Sequence, residues 1–181
     1  MSLSKVDKEA SILLSDLRNL ITSLESEPKC TFTLDGTNDY KQLLSSLKFV
    51  GVYLLEIRKP IDEPFEVWFV SFQRLWADQK YIDKWVPNIN SKRVAKLLTN
   101  PPKEWVPLYI GRSHNICSRI KQHIDFPLER STIGLKLRAR VNIYGNEFRV
   151  NTIKINVKNY NLLMPEVEKG MQNKYNPITG R

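Results

Sequence analysis

The chain has 181 residues, 41% of them apolar and 26% charged, ordinary for a soluble globular protein and enough for one domain with a real core. No apolar run approaches the ~18 residues a membrane span needs, the start MSLSKVDKEASILL lacks a signal peptide's long apolar centre, and Cys30 and Cys117 form no CxxC pair, so a disulfide framework and a zinc cluster are not indicated and a cytoplasmic setting is expected. The formal net charge of +9 is uneven: residues 1–100 carry 14 Lys/Arg against 13 Asp/Glu (+1), and residues 101–181 carry 14 against 6 (+8), which indicates either a polyanionic partner such as nucleic acid or a solvated basic surface.

Residues 5–25 have the period of an amphipathic helix, with Leu13, Leu17, Leu20, Ile21 and Leu24 at three- and four-residue steps. Pro28 and the Asp35-Gly36 turn signal break the pattern over 26–37, and a second short helix is expected at about 38–47. FVGVYLLEI (49–57) is β-rich, and Val50, Val52, Tyr53 and Leu54 mark a largely buried strand. Residues 58–104 hold no clean period, but their aromatic content marks them as folded. They are expected to form an insertion between two strands of one sheet. Within it NINSKRVAKLLTNPP predicts a helix with Ser91 as N-cap and Pro101-Pro102 as the stop.

WVPLYIG (105–111) predicts a second strand. A helix over about 114–125 should follow, capped by Ser113 and burying Ile116, Ile120 and Ile124. Arg119 and His123 then share a face, one turn apart. Residues 133–143 read two ways, as an alternating strand or as a helix ended by Gly145. NEFRVNTIKINV (146–157) predicts a strand, and Pro165 should open a last helix with Val167, Met171 and Tyr175 on one face.

GVY at 51–53, YIG at 109–111, Arg119 ten residues after Tyr109, His123 four residues after Arg119, and a glutamate-bearing C-terminal helix together resemble the GIY-YIG nuclease superfamily, most of all its compact type II restriction endonucleases. Taken singly, these tyrosines would be core aromatics and these charges a solvated helix face. Their order and spacing carry the likeness, which covers about 49–57 and 105–180. It implies an α+β fold: a small antiparallel sheet of about three strands, flanked by helices. Residues 1–48 would be an N-terminal helical extension and 49–181 the nuclease domain, with 58–104 inserted between its first two strands. Family members often place a helix before a Tyr-Gly turn like Tyr144-Gly145, which favours helix at 133–143.

The resemblance also implies hydrolysis of DNA phosphodiester bonds with one divalent metal, Mg²⁺ or Mn²⁺. Tyr53 would be the general base, Tyr109 would orient phosphate or water, and His123 would hold the phosphate or hydrogen-bond a tyrosine. Arg119 would neutralise the charge developing on the phosphate, a task a planar guanidinium suits. A phenol ionises near pH 10, so acting as a base near pH 7 needs help of roughly 4 kcal/mol, for which Arg119 and Arg112 are the available cations. Glu168 would hold the metal, because Met171, Tyr175 and Pro177 follow it at the family's spacings and Glu166 misses each. One carboxylate with phosphate and water is enough for Mg²⁺. The family's asparagine twelve residues after the glutamate is Gly180 here, which Asn176 or Asn173 would have to replace. Double-stranded DNA would be held by Arg112, Lys121 and the insertion residues Lys92, Arg93 and Lys96. Cutting both strands with one site per chain would call for a homodimer. Repair or mobile-element nucleases, and a non-catalytic DNA-binding module, are the other classes consistent with these residues.

Overall fold

A computed structural model describes residues 2–34 and 40–180. In chain order its elements are α1 (Leu3–Ser23), β1 (Glu27–Thr33), α2 (Tyr40–Leu43), β2 (Gly51–Arg58), α3 (Phe65–Trp76), α4 (Ser91–Thr99), β3 (Trp105–Ser113), α5 (Ile116–Asp125), β4 (Glu147–Lys154) and α6 (Tyr160–Tyr175), with 3₁₀ turns at Leu44–Leu47, Leu137–Ala139 and Val141–Ile143. The fold is α+β, and the sheet is antiparallel in the order β1-β4-β2-β3.

GVYLLEI is apolar on both of its faces because β2 lies inside the sheet and is covered on both sides. Tyr53, Leu55 and Ile57 join the larger core with Ile116 and Ile120 of α5 and with Phe65, Trp68, Phe72 and Trp76 of α3. Val52 and Leu54 face the other way, against Ile21 of α1 and Met164, Val167 and Met171 of α6. Each such side chain contributes about 1.5–3 kcal/mol on burial. Gly51 is needed where β2 meets β4, since a Cβ there would lie 2.1 Å from the Ile153 carbonyl oxygen. Among the described residues, no helix is long and apolar enough to cross a membrane.

Several sequence expectations need correction. The sheet has four strands rather than about three: EPKCTFT, expected only to break a helix, is β1, which pairs with β4 from Glu27↔Thr152 to Thr33↔Glu147. The Asp35-Gly36 turn and the start of the helix expected at 38–47 lie outside the described residues. Residues 65–76 of the insertion form a helix that no period announced. Phe65, Trp68, Phe69, Phe72 and Trp76 are buried at helical steps, but Val67, Val70 and Leu75 put apolar residues on the exposed face as well and blur the period.

Caps shift by one or two positions. Asn90, not Ser91, caps α4 through the Arg93 N–H at 3.2 Å, and Asn115, not Ser113, caps α5 through the Ser118 N–H at 3.0 Å. Pro165 does not open α6 but sits inside it, so the Asn161 carbonyl goes without its usual helical donor. Residues 133–143 are neither strand nor α-helix. Lys136, left-handed at φ 53° and buried, interrupts both patterns and leaves two 3₁₀ turns, while Gly145 adopts the left-handed φ of 82°.

The insertion is part of the main core. Trp68, Trp76 and Tyr81 are buried, and Arg140 is buried against two of them, its guanidinium carbon 4.0 Å from the Trp76 ring centre and 4.6 Å from that of Tyr81. Burial lowers the pKa of Arg140 to about 10. Beyond the edge of β3, residues 178–180 run alongside: Ile178 N–H donates to the Pro107 carbonyl at 2.8 Å, Thr179 N–H to that of Leu108 at 3.0 Å, and Gly180 N–H to that of Asn88 at 2.9 Å.

Candidate functional site

Tyr53 lies opposite Gly111 in the β2–β3 register, with its ring over that glycine. A Cβ at Gly111 would be 2.2 Å from the Tyr53 hydroxyl oxygen, so only glycine admits the ring. The hydroxyl is 2.8 Å from His123 Nε2. His123 Nδ1 receives the Leu135 N–H at 3.1 Å, which requires a lone pair on Nδ1. The imidazole is therefore the neutral tautomer that carries its proton on Nε2 and donates to Tyr53. Burial, with Arg119 adding to it, holds His123 well below its ordinary pKa and agrees with that state. The Tyr109 ring stacks 6.3 Å from that of Tyr53 and lies tilted, 4.8 Å away, against that of His123.

Burial and the neighbouring Tyr109 raise the pKa of Tyr53 well above 10, and Arg119 pulls the other way through charge and hydrogen bonding. The expectation that nearby cations alone would lower this phenol toward neutrality is therefore corrected: desolvation of a fully enclosed ring outweighs one guanidinium. Two donors, His123 Nε2–H and Arg119, nonetheless act on the oxygen that would carry the charge.

Arg119 projects from α5 and is fixed by Gln122 Oε1 at 2.8 Å and the Ile133 carbonyl at 3.0 Å. Together with Tyr109 and Glu168 it lines a cavity of about 910 Å³ between β3, α5, α6 and the insertion, near the top of the ~300–1,000 Å³ range of ligand pockets. Glu168 pairs with Arg112 Nε through Oε2 at 3.0 Å, and burial raises its pKa while Arg112 and Arg119 oppose the rise. Glu166 instead reaches Arg18 of α1 at 3.8 Å. The two carboxylates, two residues apart on α6, are thus divided between the cavity wall and a surface pair. Among the described residues no group of three His, Cys, Asp or Glu side chains converges; the acidic residues that line the cavity are Asp83 and Glu168, and Glu168 is the one whose ionisation Arg119 influences.

The segment 133–136 binds the site together. Ile133 accepts from Arg119, Gly134 N–H donates to the Trp85 carbonyl at 3.1 Å, Leu135 donates to His123, and Lys136 Nζ donates to the Lys84 carbonyl at 2.5 Å and to those of Leu128 and Arg130 at 2.9 and 2.6 Å. Asp83 (φ 59°) and Trp85 (φ 57°) are left-handed without being glycine, a conformation costing about 1–3 kcal/mol per residue that persists only when held by its surroundings.

The structure therefore brings Tyr53, Tyr109, Arg119, His123 and Glu168 together. Arg112 and Arg119 also border a shallower depression of about 480 Å³ beside α5. Lys121 does not line the cavity, and Lys92 and Lys96 are exposed on α4. Arg93 of α4 is half-buried: its Nη2 donates to Gln172 Oε1 of α6 at 2.8 Å, and burial lowers its pKa. Gly180 lies beside the Tyr109 ring, with 3.3 Å from an added Cβ to Cε2. Neither Asn176, left-handed at the end of α6, nor Asn173 lines the cavity; the amides that do are Asn88 and Gln172. Sequence spacing could not have found Asn88 or Trp85, because the insertion meets the site through folding and not through a motif. A comparison with protein-family models, curated proteins and solved structures found no match.

Proposed function

We propose that the chain is a metal-dependent endonuclease of the GIY-YIG type that hydrolyses phosphodiester bonds of double-stranded DNA, in the manner of a compact restriction enzyme. The observation that carries this is the Tyr53 hydroxyl, held by His123 and influenced by Arg119, close to a cavity that Arg119 and Glu168 line together. In hydrolysis a water oxygen bonds to phosphorus, one P–O ester bond breaks, and the water's proton must leave. Tyr53 must first release its own phenolic proton to solvent. The phenolate Oη, stabilised by the Nε2–H of His123 and by Arg119, then accepts the water's proton, and the leaving oxygen takes a proton from solvent. Arg119 neutralises charge developing on the non-bridging oxygens.

Glu168 would hold Mg²⁺ or Mn²⁺, whose charge would polarise the phosphate and make the nearby phenol more acidic. The fit rests on the carboxylate itself: it lines the cavity, its burial penalises a charge left unpaired, and Arg112 engages only Oε2. A cavity with room for a nucleotide lies beside it.

Plasmid nicking with Mg²⁺, against an EDTA control, tests the proposal. Wild type should nick only with metal, Glu168→Ala and Tyr53→Phe should lose at least ~10²-fold, and Glu166→Ala should retain most activity. If Glu166→Ala is the dead variant, or wild type never nicks, the assignment fails. One observation favours a second reading, that of a non-catalytic DNA-binding module: Arg112 already neutralises the carboxylate that the metal would need. DNA binding without turnover in any divalent metal would support it.

A further inference from the structure

Trp85 is open to solvent, 55% exposed, while Trp68 and Trp76 of the same insertion are 7% and 4% exposed. It is not a stray surface residue. Its backbone is left-handed, as is that of Asp83 two positions earlier, and this turn is pinned through Lys84 and Trp85 to Lys136 and Gly134. Such a conformation is costly for a bulky side chain and is found where surrounding structure imposes it for a purpose. Trp85 lines the same cavity as Arg119 and Glu168. A cationic group and an open aromatic face in one cavity match the two halves of a nucleotide, phosphate and base. Because every base has a π-face, an indole binds a base without reading its identity.

We infer that Trp85 stacks on an unpaired nucleobase of the DNA strand next to the phosphate at Arg119, so that the strand is engaged with at least one base out of the duplex. The inference rests on the phosphodiester reading of the same site and narrows its substrate to DNA with a single-stranded, flipped or branched nucleotide. A protein partner anchored on the indole is the competing occupant. It is disfavoured because Trp85 lines a cavity shared with Arg119 and Glu168, rather than a flat apolar patch.

The test measures binding of a labelled oligothymidylate by anisotropy in EDTA, so that no turnover is needed, with wild type, Trp85→Ala and Trp85→Phe. Trp85 is exposed, so both variants should melt like wild type. Stacking predicts about 5- to 150-fold weaker binding for Trp85→Ala, most of the affinity kept by Trp85→Phe, and a much smaller gap on an oligonucleotide of abasic residues. Tryptophan fluorescence should be quenched by oligothymidylate in wild type and far less in Trp85→Phe. Equal affinity of wild type and Trp85→Ala for oligothymidylate, or an equal gap on the abasic strand, overturns the stacking role. The two readings fail separately: nicking with Trp85-independent binding removes the stack alone, and Trp85-dependent binding without nicking removes the nuclease.

Discussion

Gly111→Ala is the sharpest test of how the site is built. The added methyl would lie 2.2 Å from Tyr53 Oη, 2.6 Å from its Cζ and 3.1 Å from Tyr109 Cε1. Carbon contacts settle at ~3.5–4.0 Å, so the Tyr53 ring must move by ~1 Å. It cannot do so freely: the ring is 1% exposed, its hydroxyl is bonded to His123, and its strand is locked opposite Gly111. Overpacking of this kind costs about 1–3 kcal/mol. In a domain of this size each kcal/mol is worth roughly 2–4 °C of melting temperature. A ~1 Å misplacement of a reacting group costs about 10²-fold in rate. Circular dichroism melts and plasmid nicking read the two effects side by side. Tyr53→Phe removes the closest contact but leaves Cζ in place, so Gly111→Ala should cost less stability in that background than in wild type. Strict additivity, or a Gly111→Ala protein that melts and cuts like wild type, would refute this account of the glycine.

Arg119→Lys keeps the charge but cannot span Gln122 and the Ile133 carbonyl as a planar fork does; nicking should fall at least ~10-fold with little change in melting temperature, and unchanged turnover would contradict the role. Lys136→Met keeps the stem but strips three carbonyls of their donor, so stability should fall by about 1–3 kcal/mol, and limited proteolysis should open first near 81–88; cleavage appearing elsewhere first would argue against the tether. His123 has a folded pKa depressed by burial below its ordinary 6.5, so the unfolded chain binds the extra proton: its contribution is complete above about pH 6.5 and is lost as pH falls below that, at up to ~1.4 kcal/mol per pH unit. Denaturant melts from pH 7.5 to 5 should show this slope in wild type and a shallower one in His123→Gln; parallel curves would count against a buried neutral imidazole.

The strands and helices that present the site were legible where one period held without interference. β2 and β3 showed as apolar runs and α5 as an isoleucine stripe, and the family resemblance carried by GVY, YIG, Arg119 and His123 implied that Tyr53, Tyr109, Arg119 and His123 share one site. What the sequence hid had physical causes. β1 alternates only in its second half, where Cys30 and Phe32 turn inward and Thr31 and Thr33 outward; its polar start and the irregular register between Pro28 and Cys30 masked that short pattern. α3 is apolar on both faces. The 133–136 segment works through backbone groups and a buried ammonium, neither of which side-chain periodicity can report. The same holds for Trp85, whose position depends on a left-handed turn that no glycine announced.

The strip at 178–180 has a consequence for the order in which the molecule is built. It lies along the edge of β3 and, through Gly180 to Asn88 and Asn90, holds the insertion against the sheet. The strip has an edge to lie on only once β3 is paired with β2, so its bonds to the insertion, Asn90–Gly180 among them, follow the sheet. The β2–β3 and β2–β4 ladders and the α5 stripe need nothing from this strip. They can form around β2 while the insertion is still loosely attached. The cavity wall is therefore expected to be the last part of the fold to close, and a chain caught on the way carries the sheet without the site.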